Sequence, residues 1–179
     1  WLFLGSVTLF FAAFTSVYVV RKDGANWFEF DLPQVFATST VVLLASSLTV
    51  GLAQWIIRKE QPWAGKVSGL LLLLSLVLGL WFGQLQWAGY GDLVDMRIFL
   101  IDNVTGNVSG SFFYIITGAH FVHVISGLLA LLIAAVQSFR GKYGPKNHHG
   151  LRRTAIYWHF LDLLWLYLFL FLTYANQLF

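Results

Sequence analysis

Four ionisable residues stand inside apolar sequence in the C-terminal part of the chain. His120 and His123 lie in TGAHFVHVISG, and His159 and Asp162 lie in YWHFLDLLW. An ionisable group at membrane depth costs about 2.5–3.5 kcal/mol on insertion scales, so such residues face a bundle interior and need partners there. Three kinds of chemistry suit this set. Imidazoles on two helices can sandwich a haem through axial nitrogens. A buried His–Asp pair can relay protons. The same groups, joined by glutamines, can also close a hydrogen-bonded network that fixes helix register.

The residues weigh these readings unequally. At a rise of about 1.5 Å per residue, His123 and His159 fall in the same half of the bilayer on antiparallel helices, which permits a haem. Asp162, one turn from His159, instead favours a carboxylate–imidazole hydrogen bond over an iron ligand. Asp162 is the sole carboxylate within the apolar runs, whereas a transporter shows more acids and broken helices. The structural network is therefore the favoured reading. A haem-binding, quinone-linked membrane anchor is the alternative.

The elements that position these groups are set by composition. Of 179 residues, 58% are hydrophobic, 18% aromatic and 11% charged, with a mean hydropathy of +0.72. Soluble domains carry about 25% charged residues, so this is an integral membrane protein. The absence of cysteine removes disulfides, iron–sulfur clusters and thiolate metal sites. The net charge of +3 is concentrated in two loops, which marks topology rather than nucleic-acid binding.

A hydrocarbon core of about 30 Å needs about 20 apolar residues of helix. Five runs qualify, approximately Trp1–Val20, Pro33–Ile57, Ala64–Gly89, Gly110–Phe139 and Thr154–Leu178. The sequence predicts an all-α bundle of five transmembrane helices forming one membrane domain over residues 1–179. No cleavable leader is expected at Trp1–Val20, which lacks a basic start and a small-residue cleavage site. A run that opens directly on Trp1 leads to the expectation that a few residues precede it.

Loop charges alternate. Arg21 and Lys22 face Asp23, Glu29 and Asp31 in the first loop, and Arg58, Lys59 and Lys66 face Glu60 in the second. Asp92, Asp95 and Asp102 surround Arg97 in the third, and the fourth holds Arg140, Lys142, Lys146, Arg152 and Arg153 without an acid. Basic loops belong on the cytoplasmic side, which puts the N-terminus inside and the C-terminus outside. Trp27, Phe28, Trp55, Trp63, Trp87, Tyr90 and Trp158 fall near expected helix ends, as an interfacial aromatic belt would place them. Asn103 opens Asn-Val-Thr, a formal glycosylation sequon to which a short acidic turn lends no weight.

Small and polar residues mark the packing faces. Thr117, His120, His123, Gly127, Ala130 and Ala134 recur at helical spacing, as do Ser75, Gly79 and Gly83 with Gln86 beyond them. Thr40, Ser47 and Gln54 align at seven-residue spacing on the second run. Gln86, His120, His123, His159 and Asp162 are expected to form or border one buried polar network. His148 and His149, near Lys146, Arg152 and Arg153, suit either a solvated turn or contacts to anionic phospholipid headgroups.

At these motifs the chain resembles the subunit 3 family of haem-copper terminal oxidases. The family helix TG-x-H-x-x-HV-x-x-G is matched by Thr117, Gly118, His120, His123, Val124 and Gly127. A basic turn with NHH follows at Asn147, His148 and His149. The last helix, YWHF-x-D-x-x-WL, is matched by Tyr157, Trp158, His159, Phe160, Asp162, Trp165 and Leu166. Gln86 in QLQW and the serine-rich TSTVVLLASS extend the similarity upstream.

The resemblance implies a subunit with no catalytic centre, cofactor or metal of its own. It would pack against the catalytic subunit 1, which holds the haems and copper, within a respiratory oxidase that reduces O₂ to water and translocates protons. Structural phospholipids, support of proton uptake, other oxidase subunits and membership of a larger supercomplex are implied with it. Five helices resemble the short bacterial form, which gives a bacterial inner (cytoplasmic) membrane. The long form has two further helices that make a lipid-holding cleft. Three family glutamates are replaced, at Val7, at Gly89 and near Arg152.

Overall fold

The computed structural model describes residues 1–24, 27–101, 108–145 and 147–178, with side chains through Tyr174. Asp102, Asn103 and Lys146 lie outside the described residues. As the hydropathy predicts, the fold is all-helical, with helices α1 Leu2–Lys22, α2 Gln34–Ile56, α3 Ala64–Asp95, α4 Val108–Phe139 and α5 His149–Leu178. Each is long and apolar enough to cross a membrane, and together they make a multi-pass membrane protein.

Two boundaries differ from expectation, both for packing reasons. α3 runs beyond Gly89 to Asp95 because Gly89 lies against the Phe36 ring and Leu93 is buried. It stops in a Schellman motif, where Ile98 N–H donates to Leu93 C=O and Arg97 N–H to Val94 C=O. Arg97 takes the left-handed position there, at φ 60°. α4 ends in the same way, with Gly141 at φ 69° and Lys142 N–H donating to Gln137 C=O. α5 starts at His149 rather than Thr154. Gly150 sits beneath the Tyr143 ring, and Leu151, Ala155 and Trp158 continue the buried face.

Apart from Gly69, the buried residues of α3 step by three and four: Ala64, Ser68, Leu72, Ser75, Gly79, Phe82, Gln86, Gly89 and Leu93. That spacing keeps one seam inward along the whole helix. α2, α3, α4 and α5 form a closed ring in which each helix packs on the next and α5 returns to α2, with α2 and α3 in closest approach. α1 lies outside the ring, in the furrow between α4 and α5. It is joined by side chains: Phe11 meets His120 and His123, and Tyr18 packs on Phe112 and Phe171.

The two ends of the bundle differ in charge. The start of α1 and the α2–α3 and α4–α5 connections share one end, where Phe3 meets Tyr157 and Ser138 Oγ donates to Gly65 C=O. Arg58, Lys59, Lys66, Arg140, Lys142, Arg152 and Arg153 gather there around Glu60. The opposite end holds Asp23, Glu29, Asp31, Asp92 and Asp95 against Arg21, Lys22 and Arg97. Of these cations, Lys22 forms an ion pair with Glu29 at 3.6 Å.

Candidate functional site

One face of α2 supplies most of the polar contacts that close the ring. Ser39 Oγ accepts from Gln86 Nε2 at 2.7 Å, and Thr49 Oγ1 and Ser75 Oγ are 2.6 Å apart. Farther along, Ser68 Oγ donates to Ala53 C=O at 3.1 Å. Those contacts fasten α3. Toward α5, Thr40 Oγ1 accepts from Trp165 Nε1 at 2.9 Å, and Ser46 Oγ accepts from Trp158 Nε1 at 3.0 Å. Ser47 Oγ lies 2.6 Å from His159 Nδ1. Ser39 and Ser46 also bond carbonyls on their own helix, a habit of hydroxyls that lets them sit in an apolar interior.

Trp158 fills the centre of the ring. Expected in the interfacial belt, it is 1% exposed. Its ring lies between Gly79 of α3 and Gly127 of α4, where an added Cβ would come within about 3 Å of it. The absence of side chains at those two glycines makes room for an indole at the axis, and Ser46 satisfies its N–H. The small-residue stripes are therefore the walls of an aromatic slot. Trp55, Trp63 and Trp87 are exposed, and the Lys59 ammonium stands 3.7 Å over the Trp55 ring.

No hydrogen bond joins any two of the five residues expected to share a network, but His120 and His123 both pack on Phe11, and His159 and Asp162 both approach Ser47. Gln86 bonds Ser39, and His159 bonds Ser47. His123 is half-buried, with Nδ1 2.7 Å from Ala119 C=O on its own helix. The His120 ring is 1% exposed, 5.2 Å from the Trp165 ring and 6.3 Å from Phe11, with neither nitrogen hydrogen-bonded. Asp162 is 4% exposed. Ser47, whose hydroxyl also meets His159 Nδ1, lies within its reach, and neither carboxyl oxygen completes a hydrogen bond. His159 meets α2 through Ser47, while His123 packs on Phe11 of α1 and His120 lies between Phe11 and Trp165 of α5.

The haem alternative finds no support in this arrangement. His123 packs on Phe11 of α1, and His159 is held by α2, so the two imidazoles do not face each other across a common space. Among the described residues, no three histidine or acidic side chains converge as a metal-binding group.

At the basic end, His149, Arg152 and Arg153 border a cleft of about 710 Å³ between the starts of α1 and α5. His148 does not line it. It stacks on His149 with ring centroids 6.0 Å apart, its Nδ1 3.3 Å from Gly144 C=O. Burial raises the Tyr143 phenol above its usual pKa, and nearby Arg153 opposes that shift. Sequence reasoning found the cationic residues here. It missed the α2 hydroxyls Ser39, Ser46 and Thr49, which bond Gln86, Trp158 and Ser75.

The fold and the site define a helical, multi-pass membrane protein organised around a polar packing seam. Comparison with known proteins gives that class a family. The family model for cytochrome c oxidase subunit III matches residues 1–177, and the chain belongs to that family. It is 31% identical over 180 residues to cytochrome c oxidase subunit 3 of Drosophila yakuba, covering 94% of this chain and 65% of that protein. The Papio hamadryas protein of the same name is 29% identical with the same coverage. That of Spodoptera frugiperda is 29% identical over 137 residues, covering 76% of this chain and 86% of the relative. The chain spans about 65% of the length of the first two relatives.

Proposed function

We propose that the chain serves as the non-catalytic subunit 3 of a respiratory haem-copper terminal oxidase, which reduces O₂ to water and moves protons. The observation that carries this reading is the family match over residues 1–177. Trp158, His159 and Trp165, three residues of the family's last-helix motif, are also the α5 side chains that dock on α2. On this reading the haems and copper belong to the catalytic subunit 1. This chain contributes packing area, phospholipid contacts and durability of proton uptake in that neighbour. Further oxidase subunits, and a larger supercomplex, are its other partners.

The proposed location is a bacterial cytoplasmic membrane, with the chain folded as one membrane domain. The basic end lies inside, which puts the N-terminus in the cytoplasm and the C-terminus outside, in keeping with the loop charges. His120, His123, His159, Asp162 and Gln86 act as the polar part of the helix seam, dividing it into local contacts.

Purification of the chain from its own membrane tests the reading. Co-elution with a haem-copper subunit, with all haem and copper assigned to that partner, is the expected result. Elution with a flavoprotein, or a haem band that His123→Ala removes from this chain, would overturn it.

A further inference from the structure

Asp162 places a carboxyl group in the middle of α5, 4% exposed and with neither oxygen hydrogen-bonded. A lone carboxylate at such depth is costly, and the helices around it bring no fixed countercharge to its level. α2, the helix it approaches through Ser47, carries no charged residue from Gln34 to Ile56. α4 brings His120 and His123, both packed on Phe11 of α1. The cations of α1, Arg21 and Lys22, stand in its last turn, and the charges of α3, Lys66, Asp92 and Asp95, lie at its two ends. On α5 itself Arg153 precedes Asp162 by nine positions, about 14 Å along the axis.

The polar group within reach is Ser47, whose Oγ lies 2.6 Å from His159 Nδ1. The three residues are graded in exposure. Asp162 is buried, while Ser47 and His159 are half-buried. A hydroxyl so placed can accept a proton from one neighbour while giving its own to the other. With His159 carrying its proton on Nε2, a protonated Asp162 donates to Ser47 Oγ, and Ser47 donates to Nδ1. Two concerted shifts reverse this chain. The carboxyl O–H breaks as an O–H forms on Ser47, and the original Ser47 O–H breaks as an N–H forms at Nδ1. No electron is transferred, and the net result is one proton moved from Asp162 to His159. Carboxylate and imidazolium then flank the hydroxyl, with both hydrogen bonds kept and the net charge still zero.

We propose that Asp162, Ser47 and His159 form a proton relay that holds one exchangeable proton inside the membrane. Asp162 is the buried store, Ser47 the bridge and His159 the point of exchange. The relay is local to one turn of α5 and its contact with α2. It rests on these residues belonging to the polar seam, and not on the oxidase assignment.

Infrared spectroscopy of the complex that the chain forms, held in membranes and transferred to D₂O, tests the relay. The difference between wild type and D162N isolates the Asp162 carboxyl. A carboxylic-acid C=O band that shifts on deuteration is expected, and D162E, which keeps the acid, should move that band without removing it. S47A and H159F should each slow the deuteration shift roughly tenfold, the factor that about 1.4 kcal/mol on a barrier gives. S47T, which keeps the hydroxyl, should restore the rate. A carboxylate beside a neutral His159 ring would overturn the proposal, as would deuteration at the wild-type rate in both S47A and H159F. An unchanged melting temperature in S47A and H159F, with deuteration slowed, would instead count against the seam reading and leave the relay in place.

Discussion

Trp158 and His120 are both large, buried ring systems, yet their polar atoms fare differently. Trp158 donates to Ser46, while both nitrogens of His120 lack a partner. Inter-helix hydrogen bonds in membranes average about 0.6 kcal/mol and reach about 1.7 kcal/mol. A double-mutant cycle of Ser46→Ala and Trp158→Phe is expected to give a coupling in that range, measured by unfolding in mixed detergent. Zero coupling would mean that the contact adds nothing beyond shape. The opposite outcome is expected at His120. Replacing a buried, unpaired polar group by an apolar one of similar size is near neutral or stabilising, so His120→Leu should leave stability unchanged or raise it. A loss above about 2 kcal/mol would show that the imidazole has a role that packing does not supply. The sequence made these two positions conspicuous for different reasons, and its periodicity could not tell them apart. Burial at the ring axis depends on which helices close around α5, and that depends on pairings remote in sequence.

At the level of elements, two kinds of local geometry can be tested. Gly127 admits Trp158 and Leu161 to the axis, so a larger residue there overpacks the ring. Gly127→Leu is expected to destabilise by about 1–3 kcal/mol and to shift the near-ultraviolet signal of the buried indole. A stable, spectrally unchanged variant would contradict the slot. Arg97 is the reverse case. Its left-handed conformation costs about 1–2 kcal/mol in a residue with a Cβ, while a glycine there loses about 0.5–1 kcal/mol in the unfolded chain. Arg97→Gly should therefore raise stability by up to about 1 kcal/mol, readable as a higher melting temperature. Hydropathy located all five helices, because length and apolarity decide membrane spans. It missed the true start of α5 and end of α3. Those boundaries are set by Tyr143 packing over Gly150 and Phe36 packing on Gly89, contacts that cross between segments and leave no local signal.

For the whole molecule, charge separation between the two ends is the property that orients the bundle. The sequence contains no cysteine, so single cysteines report topology without background. In intact cells, a cysteine at Lys142 is expected to resist an impermeant maleimide until the membrane is opened, and one at Asp31 to react at once. The converse pattern would invert the proposed orientation. The loop charges carried this expectation unaided. The ring of four helices with α1 set apart was not legible, because amphipathic stripes say that helices pack and not in what cyclic order.

The position of α1 also bears on the order of events in time. α2 and α3 adjoin in sequence and pack most closely, so their pairing closes the shortest loop and can form soon after synthesis. α1 emerges before them, yet its surface finds its place only when α4 and α5 stand together to make the furrow. The helix made earliest of the five is thus the last to settle. By the same reasoning it is the first to loosen when the protein is warmed, leaving the other four closed around their indole.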